Sequence, residues 1–365
     1  MPQKLPKKIS GRLLSLDYLR GYFVVVIIVD HLWRYPSAWA FISGEAKLWV
    51  TAAEGFVIIS GFLIGYIRGF KGLRLPFITV AWKLLKRAIL LYVWMVMVSL
   101  AYIWIEWTDR VPGMPHTPML DETARSWQEM FINVATTAKP HVWIHFLYLY
   151  TAFLLLSIIV VALLRSRQVW LVAVLSLALY LAGIAYEIEW MKWQVIFFIP
   201  SIVGFYFEAV RTRWHHTPSH VKRRIREILF ITTISTIVTS ALAANAPTLF
   251  STPQLALFEG LFSIDGFLPP RVTLAFIWFL TFGLLFERIT PWLQRYTYGV
   301  LEYLGTHSLS AYIAHGLVIC LLNVLLPFTN PAFSQTTYYS ILGLLAILGT
   351  YAMIRLPLLR RVIPK

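Results

Sequence analysis

The stretch LSLDYLRGYFVVVIIVDHLW, residues 14–33, carries Arg20 and His31 inside an apolar run long enough to cross a bilayer. Eleven residues of α-helix turn through roughly 20 degrees more than three full turns and rise about 16 Å. Arg20 and His31 are therefore expected on one face of a single helix, at two depths. Because an ionisable side chain is costly at membrane depth unless it faces a polar interior, both are candidate functional residues.

The rest of the chain repeats this apolar character. Of its 365 residues, 58% are hydrophobic and only 13% are charged, which excludes an ordinary soluble domain. Apolar runs of about 20 residues recur and predict an all-α, polytopic membrane bundle that forms one domain over residues 1–365. The ten predicted spans lie near 14–33, 48–67, 84–106, 142–164, 169–187, 193–210, 228–246, 272–290, 307–327 and 337–356.

The basic residues predict the orientation of these spans. With the tail 1–13 in the cytoplasm, 24 of the 32 Lys and Arg fall on the inner side and seven on the outer side, so both termini are expected to be cytoplasmic. The net charge of +15 is thereby explained by topology, and no nucleic-acid partner is expected. The longest outer segment, 107–141, contains ETARSWQEMFINVAT (122–136), which predicts a short amphipathic helix at the outer surface.

Polar residues of the first two spans suggest a reaction centre. Asp17 is positioned to pair with Arg20, either as a structural salt bridge or in a site where Arg20 binds a phosphate or carbonyl oxygen from the cytoplasm. His31 is either an interfacial histidine or a general base. Glu54 in the second span lies at a depth similar to that of His31, so we expect its carboxylate to hold the imidazole in one tautomer.

Further candidates lie deeper in the bundle. Ser60 and Gly61 of the second span, and Ser308, Tyr312 and His315 on one stripe of the ninth, are candidate substrate-binding residues. Helix packing is the alternative role for Ser60 and Gly61, and an interhelical hydrogen bond is the alternative for His315.

Several chemistries are not supported. His141 and His145 have a spacing that can hold a metal, but no third ligand and no HExxH pattern accompany them, so no metal is expected. The single cysteine, Cys320, allows no disulfide framework. No nucleotide-binding loop and no GxSxG elbow occurs.

Three segments together resemble the signatures of the membrane-embedded acyltransferase-type-3 superfamily. They are RGYFVVVIIVDH (20–31), EGFVIISGFL (54–63) and LGTHSLSAYIAH (304–315), and they occur in the family's order. HVWIHFLYLY (141–150) is similar to the start of that family's middle span. Within the superfamily, AAEGFVIISG (52–61) looks like the OpgC-type branch, whose members modify periplasmic glucans, often with succinyl groups.

This resemblance implies a transmembrane O-acyltransferase, placed in the inner membrane of a bacterium. Acetyl-CoA or succinyl-CoA would approach from the cytoplasm as co-substrate, with no permanently bound cofactor. Its phosphates would meet a basic inner loop, around either Lys83, Lys86 and Arg87 or Lys222, Arg223 and Arg224. His31 would deprotonate a hydroxyl of an extracytoplasmic glycan or glycolipid, while Arg20, Ser60 or Tyr312 steadies the substrate or the developing charge. Transfer through a covalent acyl-histidine is the alternative to this direct route.

Two other functions fit the same residues. The buried charges are also typical of a proton-coupled transporter or flippase of a polar envelope precursor. A non-catalytic membrane protein that anchors another enzyme is the plainer alternative.

Overall fold

The computed structural model describes residues 13–107, 126–136, 140–327, 329–330 and 332–357, and helices dominate them. Residues Ile64–Phe70 continue the second long helix as a π-helix. In chain order the α-helices are α1 (Leu14–Leu32), α2 (Ala40–Ser43), α3 (Ala52–Leu63), α4 (Phe77–Trp107), α5 (Trp127–Ala135), α6 (His145–Arg165), α7 (Val169–Ala185), α8 (Glu189–Trp193), α9 (Val195–Phe205), α10 (Phe207–His216), α11 (Ser219–Asn245), α12 (Thr252–Phe262), α13 (Pro269–Tyr296), α14 (Val300–Thr306), α15 (Ser308–Leu325) and α16 (Gln335–Arg355).

The membrane character predicted from composition is confirmed. In the described part of the chain, seven helices are long and apolar enough to span a membrane, or eight if a bent pair forms one span. Two predicted spans fall outside that count: α1 carries Asp17, Arg20 and Asp30, and α7 has only 17 residues. Each of the ten predicted spans nevertheless coincides with a helix or, for 193–210, with a broken one. The orientation of the termini stays a prediction.

Helix boundaries differ from the predicted ones where local polar chemistry decides them. The second span begins at Ala52 rather than near 48, because Thr51 and Glu54 form a capping box there. The predicted span 193–210 is bent by 68° at Tyr206, between α9 and α10. The predicted amphipathic helix is confirmed over Trp127–Ala135, where Met130 and Val134 are buried, while residues 122–125 lie outside the described part.

Helix α1 is the centre of the bundle. It packs against α3, α13, α14, α15 and α16, and most of its side chains between Tyr18 and Leu32 are buried. Close approach needs small residues: a Cβ on Gly21 would meet the carbonyl oxygen of Leu301 at 2.0 Å, and one on Gly305 would meet that of Asp17 at 1.8 Å. The candidate residues of α1 therefore face protein.

Candidate active site

His31 and His315 form a direct hydrogen bond in the core of the bundle. His31 Nδ1 lies 2.6 Å from His315 Nε2, and His315 Nδ1 lies 2.5 Å from the carbonyl oxygen of Tyr312. His315 is 0% exposed. Helix α1 thus supplies the first imidazole and α15 the second, and the two rings lie 4.8 Å apart.

The hydrogen-bond partners of the two imidazoles determine which nitrogen of each ring carries the proton. A carbonyl oxygen only accepts, so His315 Nδ1 carries the proton and donates it to Tyr312. In neutral His315 the other nitrogen, Nε2, is then an acceptor, and His31 Nδ1 must donate to it. Neutral His31 therefore keeps its lone pair on Nε2, the arrangement that a general base requires.

A cavity of about 950 Å³ opens beside this pair. His31 and Tyr312 line it together with apolar side chains from α1, α3 and α6, including Ile27, Phe56 and Phe146. We call it the outer cavity, because the predicted orientation places it on the extracytoplasmic side. Its polar lining consists of His145, Glu187, Glu189, Lys192 and Asp265.

Aromatic side chains hold His31 in place. Trp143 stacks on the imidazole with ring centroids 6.4 Å apart, and the Tyr312 ring lies at the same distance on another side. His141 packs edge-on against Trp143 and accepts a hydrogen bond from its backbone N–H on Nδ1. Burial lowers the pKa of His141 to about 4, so this third imidazole is neutral at pH 7 and adds no charge.

Arg20 lies toward the other end of α1 and also contacts α15. Its guanidinium donates to Ser308 Oγ at 2.5 Å and lies 5.7 Å from the centre of the Phe56 ring. Its buried Nε has no partner in the described part of the chain. Both ends of α1 therefore meet one helix, as the Arg20–His31 spacing predicts.

Two further arginines belong to the same cluster: Arg87 lies close enough to Arg20 for their charges to interact, and Arg68 lies close enough to Arg87 for the same reason. Arg87 acts on Arg20 and on Arg68, and Tyr150 is a shared neighbour of Arg20 and Arg68. Neither Arg68 nor Arg87 forms a hydrogen bond or ion pair with any residue that the structure describes. Neighbouring arginines such as Arg68 and Arg87, which have no carboxylate partner among the described residues, are typical of a site for an anionic ligand.

Three aromatic rings separate Arg20 from the outer cavity. Phe56 contacts the guanidinium and packs against Phe146 at 5.8 Å, and Phe146 packs against Tyr312 at 6.0 Å. All three rings also line the cavity. Arg20 and His31 are thus linked through one layer of aromatic side chains.

The predicted contact between Glu54 and His31 is wrong. Glu54 is 0% exposed and its Oε1 accepts from Arg271 Nε at 2.7 Å, while Oε2 accepts from the backbone N–H and hydroxyl of Thr51. Both carboxylate oxygens of Glu54 already accept hydrogen bonds, one from Arg271 and the other from Thr51 in the helix cap, so neither holds the His31 imidazole. His315 occupies the position at His31 Nδ1 that the sequence analysis gave to Glu54.

Three other predicted substrate-binding residues, Gly61, Ser60 and Asp17, differ in what surrounds them. A Cβ on Gly61 would meet the carbonyl oxygen of Phe197 at 1.9 Å, so this glycine serves the packing of α3 on α9. Ser60 is buried with no partner for its hydroxyl in the described residues. Asp17 lies near enough for its charge to act on Arg20, and their direct pairing stays a prediction.

Sequence reasoning missed Arg271 and most of the polar lining of the outer cavity. Arg271 was assigned to an outer loop, but it is 3% exposed and bonded to Glu54. His145, considered as a metal ligand, instead pairs with Glu189 at 2.7 Å. The one signal for Arg271 in the sequence was its position at the start of an apolar run, because a buried cation in a membrane needs a partner.

Comparison with known protein families gives a match over most of the chain. The family model described as OpgC protein matches residues 12–356, nearly the whole chain. No curated protein and no solved structure matches the sequence.

Proposed function

Because the chain belongs to the OpgC protein family, we propose that it is a membrane O-acyltransferase that transfers an acetyl or succinyl group from cytoplasmic acyl-CoA to a hydroxyl of an extracytoplasmic glycan or glycolipid. Membership in this family indicates a membrane acyltransferase that acts on glucans. The donor, the acyl group and the direction of transfer are parts of our proposal, as is the location in a bacterial inner membrane.

One observation carries the proposal: the hydrogen-bond chain from His31 through His315 to the Tyr312 carbonyl leaves His31 Nε2 as a base in the wall of a large cavity. About 950 Å³ is room for a sugar unit or more. A transporter needs no imidazole held in one tautomer, whereas hydroxyl activation does.

The reaction follows from this geometry. His31 Nε2 takes the proton of an acceptor hydroxyl as the oxygen attacks the thioester carbonyl carbon. The carbonyl oxygen becomes an oxyanion, for which the Tyr312 hydroxyl on the cavity wall is a candidate donor. The C–S bond then breaks, the acyl group remains on the acceptor, and the thiolate of CoA receives the proton from His31. No protein nucleophile is required.

His315 supports the proton transfer without carrying a charge of its own. The Nδ1–H of His31 points at His315 Nε2 throughout, which fixes the ring and favours the imidazolium that forms. The Tyr312 carbonyl in turn fixes His315.

The arginine cluster supports entry of the donor from the cytoplasmic side. Both basic segments that the sequence analysis assigned to loops are helical, and the one containing Arg87, in α4, approaches Arg20 and Arg68. In the other, Arg223 is exposed and pairs with Glu227 at 2.7 Å. We therefore assign the phosphates of CoA to Arg87 and Arg68, with Arg20 further along the path of the acyl arm.

Transfer by purified protein tests the proposal. The protein in lipid nanodiscs receives labelled acetyl-CoA or succinyl-CoA and a glucan oligosaccharide, and acylated sugar is measured by mass spectrometry. We expect transfer by the wild type, loss in His31→Ala, and normal transfer in His220→Ala, whose imidazole is exposed on α11. Normal transfer by His31→Ala at equal protein level would contradict the catalytic assignment. Proton-dependent uptake of substrate without acyl transfer would support a transporter instead.

A further inference from the structure

The segment 263–268, between α12 and α13, forms one side of the outer cavity. Ile264, Asp265, Gly266 and Leu268 line it, as do His31 and Tyr312. This wall has no counterpart among the motifs found in the sequence.

Buried side chains fix the backbone of this wall through three main-chain carbonyls. Arg271 donates to the Phe262 carbonyl at 2.6 Å, Lys192 donates to the Asp265 carbonyl, and the Tyr180 hydroxyl donates to the Phe267 carbonyl at 2.8 Å. The donors come from three different helices, and all three are buried. A loop whose carbonyls are held this way presents its outward side chains in one geometry.

Phe267 adds an apolar anchor. It is 0% exposed and its ring stacks on Trp193 with centroids 4.5 Å apart. Its φ of 49° turns the chain so that Phe267 points inward while Asp265, two residues earlier, stays exposed.

Negative charges outnumber positive ones in the cavity lining, with three carboxylates (Glu187, Glu189 and Asp265) against the one ammonium group of Lys192. The carboxylates of Asp265 and Glu187 make no hydrogen bond or ion pair with any described residue. One ammonium group, that of Lys192, also lines the cavity; it donates to the Asp265 carbonyl and keeps its positive charge, while Glu189 bonds to His145. A carboxylate accepts hydrogen bonds from neighbouring hydroxyls and repels anions.

We propose that Asp265, on the anchored wall 263–268, determines acceptor specificity by binding hydroxyls of an uncharged sugar and disfavouring acceptors that carry an anionic group. Glu187, which also lines the cavity, contributes the same preference. This inference rests on the proposed function, since it assigns the outer cavity to the acceptor.

Two oligosaccharides of equal length test it, a neutral glucan and the same glucan bearing one carboxylate. Their binding to the protein in nanodiscs is measured without donor, and their acylation is measured with saturating acyl-CoA. We expect the wild type to prefer the neutral sugar. Asp265→Asn should narrow that preference by up to about fivefold, the effect of one partly exposed charge, and should raise the KM for neutral acceptor while the KM for acyl-CoA stays unchanged.

Control variants separate the possible outcomes. Glu259→Gln removes an exposed carboxylate on α12 that lies outside the outer cavity, and it should leave the preference unchanged. Glu187→Gln should narrow the preference as Asp265→Asn does. Equal binding of both sugars to the wild type, or an unchanged preference in both variants, would overturn the inference. Selective binding without any acyl transfer would overturn the proposed function alone.

Discussion

At the scale of single residues, a second histidine does what a carboxylate does in many hydrolases: it accepts a hydrogen bond from the base. His315 is uncharged, so it orients His31 without adding a buried negative charge to the membrane interior. A carboxylate at this position would itself require a cation nearby, as Glu54 requires Arg271. The imidazole pair is thus the less costly solution at this depth.

Removing the acceptor nitrogen of His315 tests its role in orienting His31. We expect His315→Phe to lower kcat by about 100-fold, a typical value for loss of a positioned base, because His31 can then adopt the wrong tautomer. His315→Gln keeps an acceptor and should recover part of that loss. Steady-state kinetics in nanodiscs measure both. Equal losses in the two variants, or an effect confined to KM, would argue against an orienting role.

Arg20 offers a second test at this scale, through its acceptor Ser308. Ser308→Ala removes the hydroxyl that holds the guanidinium, and we expect the KM for acyl-CoA to rise about fivefold, or ~1 kcal/mol, with kcat nearly unchanged. Ser157→Ala is the matched control, because this buried hydroxyl bonds only within its own helix, to the Phe153 carbonyl. A change in acceptor KM instead of donor KM would contradict the placement of Arg20 on the donor side.

At the scale of helices, α3 and its π-helical continuation have two functions on different faces. One face carries Gly61 and Gly65 into contact with α9, where added Cβ atoms would meet the carbonyl oxygens of Phe197 and Ser201 at 1.9 and 1.8 Å. Another face presents Phe56 to Arg20 and to the outer cavity. The close crossing therefore fixes the depth and rotation of a helix that lines the site.

Because α3 and α9 cross closely at Gly61 and Gly65, a larger side chain at either glycine should destabilise the protein. Gly65→Ala should lower the free energy of unfolding by about 1–3 kcal/mol or more, the usual cost of overpacking. Gly283→Ala on α13, where a new Cβ meets nothing within 4 Å, should leave it unchanged or raise it slightly. Thermal unfolding in detergent compares the two. Equal melting temperatures would show that α3 and α9 do not approach as described.

The buried ion pair of Glu54 and Arg271 joins α3 to α13. Stability measurements distinguish this structural role from a role in catalysis. Glu54→Gln leaves Arg271 as a buried charge with a weaker partner and should destabilise the fold by up to about 3–5 kcal/mol. The double variant Glu54→Gln with Arg271→Met should recover part of that loss. Thermal melts of the single and double variants measure the coupling. If Glu54→Gln melts normally but transfers no acyl group, Glu54 takes part in the reaction itself.

At the scale of the whole molecule, the proposed reaction requires donor and acceptor to enter from opposite sides of the membrane. The arginine cluster and the outer cavity lie toward opposite ends of α1, separated by the rings of Phe56, Phe146 and Tyr312. Donor and acceptor can then meet at His31 only if the orientation predicted from the basic residues is right.

Cysteine labelling tests that orientation. The native thiol, Cys320, is buried, so it gives little background. Glu187 lines the outer cavity and Tyr298 follows α13; both are exposed. With a membrane-impermeant maleimide, we expect Glu187→Cys to react on intact cells and Tyr298→Cys to react only after permeabilisation. The reverse pattern would place the outer cavity in the cytoplasm and contradict acylation of an extracytoplasmic acceptor.

The sequence by itself determined the helical membrane fold and the family, and it placed Arg20 and His31 on one face of α1. These features are local, because helix periodicity and the apolar length of a span depend only on neighbouring residues. The basic loops likewise predict an orientation without any knowledge of packing.

Only the tertiary structure decided which groups meet. The partner of His31 lies 284 residues away and that of Glu54 lies 217 residues away, on helices whose rotation is set by close crossings at small residues. Equal depth in the membrane made Glu54 a reasonable partner for His31, but depth does not specify which face of a helix packs against which neighbour. The walls of the outer cavity come from separate segments for the same reason, and no single stretch of sequence contains them.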